Sequence, residues 1–118
     1  MVWIYGGGGL FGCSSQAYPL LYNGSNIVGN APDDQKVIVV TINYRLDVLA
    51  VLYLPELAEE NSTYWNTSGN YAYLDVASSL KWIQHNIKEF GGDPNRVTLF
   101  GMIYNVINIS TYNYNTFR

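Results

Sequence analysis

The stretch "FGGDPNRVTLFG", Phe90 to Gly101, joins the end of a predicted helix to a predicted strand. Gly91 and Gly92 favour a helix end, and Pro94 prevents the helix from resuming because proline has no amide donor. The following residues, "RVTLFG", are largely β-branched or apolar, which predicts a buried strand that runs into a glycine. Such an approach often opens a turn that displays a reactive side chain, so the residues after Gly101 are candidate site residues.

A long amphipathic helix is predicted before this stretch, from about Asn70 to Phe90. Asp75 near its start and Lys88 near its end have the charges that the helix dipole favours. Apolar residues recur at three- and four-residue spacing and form one stripe that faces a core. The members of that stripe are Leu74, Ala77, Leu80, Ile83, Ile87 and Phe90.

Two further strands give the chain an α/β pattern. "VWIY", Val2–Tyr5, is β-branched and aromatic and stops at a run of glycines. "VIVVTIN", Val37–Asn43, is continuously apolar, which predicts a strand covered on both faces, as in a parallel sheet. A long connection is expected over residues 46–69. The order strand, strand, helix, strand with long connections predicts an α/β fold.

The composition indicates one small domain without a nucleic-acid partner or a membrane span. The chain has 118 residues, of which 48% are hydrophobic and only 13% charged, so we expect it to be part of a larger core. The net charge of −3 provides no basic patch for nucleic acid. No apolar run has the roughly 18 residues that a membrane span needs. The first residues do not resemble a signal peptide, and localisation stays open.

The sequence predicts no metal or cofactor. His85 and Cys13 are the only histidine and cysteine, and they are too far apart in the sequence for a zinc site. The glycine run lacks the Gly-Lys-Ser/Thr of a phosphate loop and the dinucleotide fingerprint. We interpret His85 as a solvated or half-buried helix histidine, and Cys13 as a packed or unreactive thiol rather than a nucleophile.

Four Asn-x-Ser/Thr patterns are possible N-glycosylation sites, although chance explains them equally well in a chain rich in Asn and Ser. They lie at Asn23, Asn61, Asn66 and Asn108.

The glycine run in "WIYGGGG", Trp3–Gly9, is a candidate ligand-contacting loop. Consecutive glycines let backbone N–H groups approach a ligand with no Cβ in the way, and two such groups can hold a developing oxyanion. A purely structural glycine turn is the alternative reading of the same residues.

Four segments together resemble the type-B carboxylesterase and cholinesterase-like family of α/β-hydrolases. They are "WIYGGGG", "NYRL" (Asn43–Leu46), "GNYAYLD" (Gly69–Asp75) and the helix-to-strand block "LKWIQHNIKEFGGDPNRVTLFG". The family also includes fungal lipases and neuroligin-like adhesion proteins. The resemblance implies an incomplete α/β-hydrolase fold in residues 1–101. It also implies hydrolysis of carboxylic esters through an acyl-serine, with a small-molecule ester as substrate.

The resemblance assigns functions to two pairs of residues. Gly7 and Gly8 match the family's oxyanion hole. Arg45 and Asp75 match a structural ion pair that is usually buried. Loss of one member of a buried pair would cost about 3–5 kcal/mol.

The family's catalytic turn is missing after Gly101. The family has Glu-Ser-Ala-Gly there, and the position of the nucleophilic serine is Ile103, followed by Tyr104 and Asn105. The family's catalytic acid and histidine lie far downstream. We therefore expect a catalytically inactive chain, with residues 102–118 a divergent tail translated from outside the parent reading frame. A non-catalytic adhesion or binding module and a non-functional gene-model fragment are the alternatives.

Several glycines of the family pattern are replaced as well. The glycine after "NYRL" is Asp47, and a nearby one is Ala50. Within "NYAYLDV" the family prefers glycine at Ala72 and glutamine at Val76. Gly9 occupies the position of an aromatic residue. A glycine chosen for positive φ or close approach tolerates a side chain poorly, so these changes suggest relaxed constraint.

Overall fold

The computed structural model describes residues 1–15, 23–60 and 68–102. The elements in these ranges are β1 (Val2–Ile4), α1 (Ser25–Gly29), β2 (Val40–Thr41), α2 (Val48–Val51), α3 (Pro55–Glu60), α4 (Tyr71–Asn86), a 3-10 helix (Ile87–Phe90) and β3 (Leu99–Gly101). Several predicted site residues lie outside the described residues: Asn61, Asn66, Ile103, Tyr104, Asn105 and Asn108.

The three strands form one parallel sheet in the order β2-β1-β3. Val2 of β1 lies opposite Val40 of β2 and Leu99 of β3, and Ile4 lies opposite Gly101. Parallel neighbours need long crossover connections, and α4 lies in the crossover that leads to β3. The α/β class with a parallel sheet is therefore confirmed.

The core lies between β1 and α4. Val2 and Ile4 are almost completely buried, as are Leu80 and Ile83 on the facing side of the helix. Full burial of side chains of this size is worth about 1.5–3 kcal/mol each. Contact with α4 thus supplies much of the free energy that holds this small sheet together.

Close approach between β1 and β3 requires a glycine at residue 101. A Cβ at Gly101 would collide with the Ile4 carbonyl oxygen of the adjacent strand. The glycine in which the predicted strand ends therefore has a packing function of its own, whatever follows it in the chain.

The strands are shorter than predicted, and the described residues cover Val37–Asn43 on one face, so its coverage on both faces stays a prediction. The β2 ladder contains only Val40 and Thr41. Beyond it, Ile42 and Tyr44 are buried whereas Asn43 is exposed. This alternation arises because, within the described residues, β2 is an edge strand with α4 on one face of the sheet.

The predicted helix is present, but its apolar stripe ends early. Leu80, Ile83 and Ile87 are buried, whereas Phe90 is 63% exposed and its ring lies 6.0 Å from that of Trp82. The α-helix gives way to a 3-10 helix at Ile87, so three- and four-residue spacing no longer marks a single face beyond that point.

The predicted connection over residues 46–69 contains the short helices α2 and α3, and it begins at a strained residue. Asp47 has φ 53° and ψ −139°, a region that glycine populates far more readily than any L-residue with a side chain. Its side chain makes no capping hydrogen bond to α2. Asn70, at the start of α4, has φ 56° and ψ 27°, which is left-handed helical and tolerated by asparagine.

Replacement of Asp47 by glycine is expected to stabilise the chain. Backbone strain of this kind destabilises the folded state by about 1–3 kcal/mol, and a glycine would relieve it. The greater conformational freedom of glycine in the unfolded state would offset about 0.5–1 kcal/mol of that gain. We expect Asp47→Gly to raise the free energy of unfolding by about 1 kcal/mol in denaturant titrations of the full chain. Asn70→Gly is the matched control and should have little effect. Stabilisation by Asn70→Gly but not by Asp47→Gly would contradict this account.

Candidate functional site

A glycine loop begins where β1 ends. Gly7, Gly8 and Gly9 have φ of +113°, +65° and +79°, values that L-residues with a side chain rarely adopt. The Gly7 carbonyl accepts hydrogen bonds from the N–H groups of Leu10 at 3.1 Å and Phe11 at 3.4 Å, which closes the turn. Within the described residues, no backbone acceptor pairs with the N–H of Gly7 or Gly8. The loop therefore has two N–H donors available for an anion or a polarised carbonyl.

Three hydrogen bonds hold this loop at the carboxyl end of the sheet. The N–H of Asp47 donates to the Gly9 carbonyl at 2.7 Å, and that of Ser14 donates to Asn43 Oδ1 at 2.9 Å. The N–H of Met102 donates to the Ile4 carbonyl at 3.3 Å. The residue that follows β3 is thereby held next to the start of the loop. In open parallel sheets, ligands bind at this carboxyl edge.

Tyr5 and Tyr44 lock the two chain segments that lead into the site. The Tyr5 hydroxyl donates to the Tyr44 carbonyl at 3.2 Å, and the Tyr44 hydroxyl donates to the Tyr5 carbonyl at 2.6 Å. Their rings stack with centroids 4.4 Å apart and planes 16° from parallel. Burial raises the pKa of Tyr5, so its hydroxyl stays protonated as a donor. Sequence reasoning missed this pair, for which the only signal is an aromatic residue near the end of each strand.

Arg45 and Asp75 form a two-pronged ion pair. Arg45 Nε donates to Asp75 Oδ2 at 2.8 Å, and Nη2 donates to Oδ1 at 2.7 Å. The backbone N–H of Arg45 also donates to Oδ2 at 2.9 Å, and the guanidinium lies 4.5 Å from the centroid of the Tyr71 ring. The pair ties the segment after β2 to the first turns of α4.

This ion pair is not buried, contrary to the expectation from the family resemblance. The side chains of Arg45 and Asp75 are 47% and 24% exposed. Desolvation alone would raise the pKa of Asp75, but hydrogen bonds from Arg45 outweigh it and lower that pKa. The cost of 3–5 kcal/mol expected for a buried pair does not apply, because water screens exposed charges.

Of the remaining candidates, His85 lies apart from the glycine loop, whereas Cys13 lies in the chain segment that the Ser14–Asn43 hydrogen bond holds beside the loop. His85 is exposed on α4, with Nδ1 2.7 Å from the Lys81 carbonyl oxygen. Cys13 is an exposed free thiol whose Sγ lies 3.9 Å from Ser15 Oγ. The described part of the chain contains no group of three His, Cys, Asp or Glu residues that could hold a metal ion. It also contains no helix that is long and apolar enough to cross a membrane.

Residues 1–103 match the carboxylesterase family. The chain belongs to that family. It is 48% identical over 101 residues to fumonisin B1 esterase of Sphingopyxis macrogoltabida, an alignment that covers 86% of this chain and 17% of the relative. A pyrethroid hydrolase of Rattus norvegicus is 40% identical over 112 residues, 95% of this chain and 17% of that protein.

A solved para-nitrobenzyl esterase superposes on this chain with a TM-score of 0.65 and 42% identity, covering 85% of this chain and 19% of the esterase. The glycine loop, the parallel strands and α4 are thus part of an α/β-hydrolase fold. The chain spans about a fifth of the length of the proteins that it matches.

The two loop glycines are expected to differ in their tolerance of a side chain. A Cβ at Gly7 would collide with the Phe11 carbonyl oxygen, whereas a Cβ at Gly8 would meet nothing within 4 Å. We expect Gly8→Ala to lower the free energy of unfolding by about 1–2 kcal/mol, because only the left-handed backbone conformation disfavours alanine there. Gly7→Ala should lower the midpoint of denaturant unfolding further. Equal losses would show that the loop lacks this packing.

The Arg45–Asp75 pair is expected to give a modest, pH-dependent stabilisation. Because the folded-state pKa of Asp75 is lowered, its contribution is complete above the ordinary carboxyl pKa and disappears as the pH falls through the lowered value. Asp75→Asn should lower the free energy of unfolding at neutral pH by about 1 kcal/mol or less, and the difference from wild type should vanish in acid.

Asp93→Asn is the matched control for this prediction. Asp93 pairs with Arg96 at 2.8 Å, but the Arg96 side chain is 84% exposed. Asp93→Asn should therefore lower the free energy of unfolding by less than Asp75→Asn. A larger effect from Asp93→Asn, or an Asp75→Asn effect that persists in acid, would refute the assignment.

Proposed function

We propose that this chain forms the oxyanion-loop part of a carboxylic ester hydrolase. The observation that carries the proposal is the pair of Gly7 and Gly8 N–H groups, which have no backbone acceptor among the described residues and lie at the carboxyl end of the sheet. Membership of the carboxylesterase family supports an ester as the substrate class. The substrate carbonyl oxygen would accept hydrogen bonds from these donors as it gains negative charge.

The fixed geometry of the loop is what would make the donors effective. The Tyr5–Tyr44 lock and the hydrogen bond from Asp47 to Gly9 hold the loop before substrate arrives. Donors fixed in advance need no reorganisation when charge develops on the oxyanion, and loss of one such donor commonly lowers the rate by about 100- to 1000-fold.

The chain itself is proposed to be unable to form an acyl-serine. Position 103, which the family resemblance matches to the nucleophilic serine, is Ile103, and an isoleucine side chain has no group that attacks a carbonyl. The family match ends at this residue, two residues inside the proposed tail of residues 102–118, so it supports a divergence after Ile103 rather than after Gly101. The alignment with the rat hydrolase covers 112 residues and extends further, which is the observation against such a tail.

A non-catalytic binding module is the second candidate, favoured by Ile103 and by the apolar surface of α2. Val48, Leu49 and Val51 are 58%, 61% and 66% exposed and form an apolar patch that contact with another protein surface would cover. In this alternative the loop and sheet form a scaffold, and ester chemistry plays no part.

Two chimeras of the para-nitrobenzyl esterase test the proposed loop function and the proposed loss of the nucleophile separately. The first replaces the matching segment with residues 1–101 and retains the esterase's own catalytic turn. The second extends the replacement to residue 105 and so brings in Ile103. We expect the first chimera to hydrolyse a short-chain aryl ester. We expect the second to fold with a lower melting temperature, because Asn105 replaces the glycine of the turn, and to be inactive.

A folded but inactive first chimera would refute the oxyanion function of the loop and favour the binding module. Activity of the second chimera would refute the assignment of position 103. For the full chain, intact-mass measurement after exposure to an organophosphate probe should show no adduct, whereas the unmodified esterase treated in parallel should be labelled.

A further inference from the structure

We propose that Asn23 is an N-glycan acceptor when the chain enters the lumen of the endoplasmic reticulum. Of the four Asn-x-Ser/Thr patterns, it is the one that lies in the described residues. Its pattern is Asn23-Gly24-Ser25, and the residue between the asparagine and the serine is not proline, as the acceptor pattern requires.

The local structure exposes both functional residues of the pattern. Asn23 and Ser25 are exposed, and all of α1, which begins at Ser25, lies on the surface without a buried residue. Asn23 Oδ1 accepts a hydrogen bond from the Ser25 N–H at 2.9 Å. This bond uses the amide oxygen and leaves the amide nitrogen of Asn23, the atom that a glycan would modify, without a partner among the described residues.

Gly24 fixes the orientation of this turn. A Cβ at Gly24 would lie 2.8 Å from Val39 Cγ1, so the backbone of the turn packs directly against the segment that enters β2. Gly24 thus faces the protein while Asn23 faces away from it. An open depression of about 520 Å³ borders Asn23, Val28 and Thr41.

A glycan at Asn23 would also cover apolar surface. Ile27 and Val28 of α1 are 38% and 42% exposed. A bulky, hydrated glycan next to them would shield these side chains and increase solubility.

The chemistry is a transfer from a lipid-diphosphate-linked oligosaccharide. Nδ2 of Asn23 attacks the anomeric carbon of the reducing-end sugar, and an N–C bond forms. The bond between that carbon and the diphosphate oxygen breaks, the lipid diphosphate leaves with the electron pair, and a base of the transferase takes one amide proton. The acceptor side needs only an accessible amide and the serine hydroxyl two residues later.

Translation of the full chain with a cleavable leader in the presence of microsomes tests the proposal. The protease-protected product is treated with an amidase that removes N-glycans in heavy-oxygen water, and peptides covering all four asparagines are analysed by mass spectrometry. The heavy isotope excludes deamidation that preceded the treatment, and a parallel incubation in heavy-oxygen water without the amidase measures spontaneous deamidation of the Asn-Gly sequence during it.

We expect heavy-labelled aspartate at position 23 in wild type and its loss in Asn23→Gln and Ser25→Ala. Ser25→Thr should retain the label. Asn26→Gln, which changes the next asparagine without touching the pattern, is the matched control and should retain it too. A protease-protected chain without label at position 23 would overturn the proposal, whether or not the other three asparagines are modified.

Discussion

The central position of β1 is the constraint on which the rest of the described structure depends. It pairs with β2 on one side and β3 on the other, and α4 packs against its buried side chains. Because Gly101 lets β3 approach the Ile4 carbonyl closely, the ends of both strands come together at one edge of the sheet. The glycine loop starts from that edge, so its position follows from the strand pairing.

Contacts beyond the short strand ladders then hold this edge in place. The β2 ladder is only two residues long, yet the chain after it stays beside β1 because Tyr5 and Tyr44 bond each other's carbonyls and stack their rings. One residue later, Arg45 binds Asp75 of α4. The buried, neutral Tyr5–Tyr44 contact thus joins the segments that follow β1 and β2. The charged Arg45–Asp75 contact, which is partly exposed, joins the segment after β2 to α4.

The chain differs from the expected family pattern to different degrees in its scaffold and after Gly101. Asp47 has a backbone conformation suited to glycine, and its N–H donates to the Gly9 carbonyl, so the turn keeps this geometry with an aspartate at the position. By contrast, the residues after Gly101 keep none of the family's Glu-Ser-Ala-Gly turn. A scaffold is maintained by many weak contacts and tolerates one strained residue, whereas a nucleophile depends on a single side chain.

Sequence alone determined the α/β class, the long helix, its end at Gly91, the family and the absence of serine at position 103, because these depend on local patterns and residue identity. Only the tertiary structure decided that Phe90 is exposed, that the β2 ladder is two residues long, and that the Arg45–Asp75 pair is partly exposed. Burial depends on what packs above each residue, and local periodicity carries no information about that. The Tyr5–Tyr44 lock joins residues 39 positions apart, so no local pattern could have revealed it.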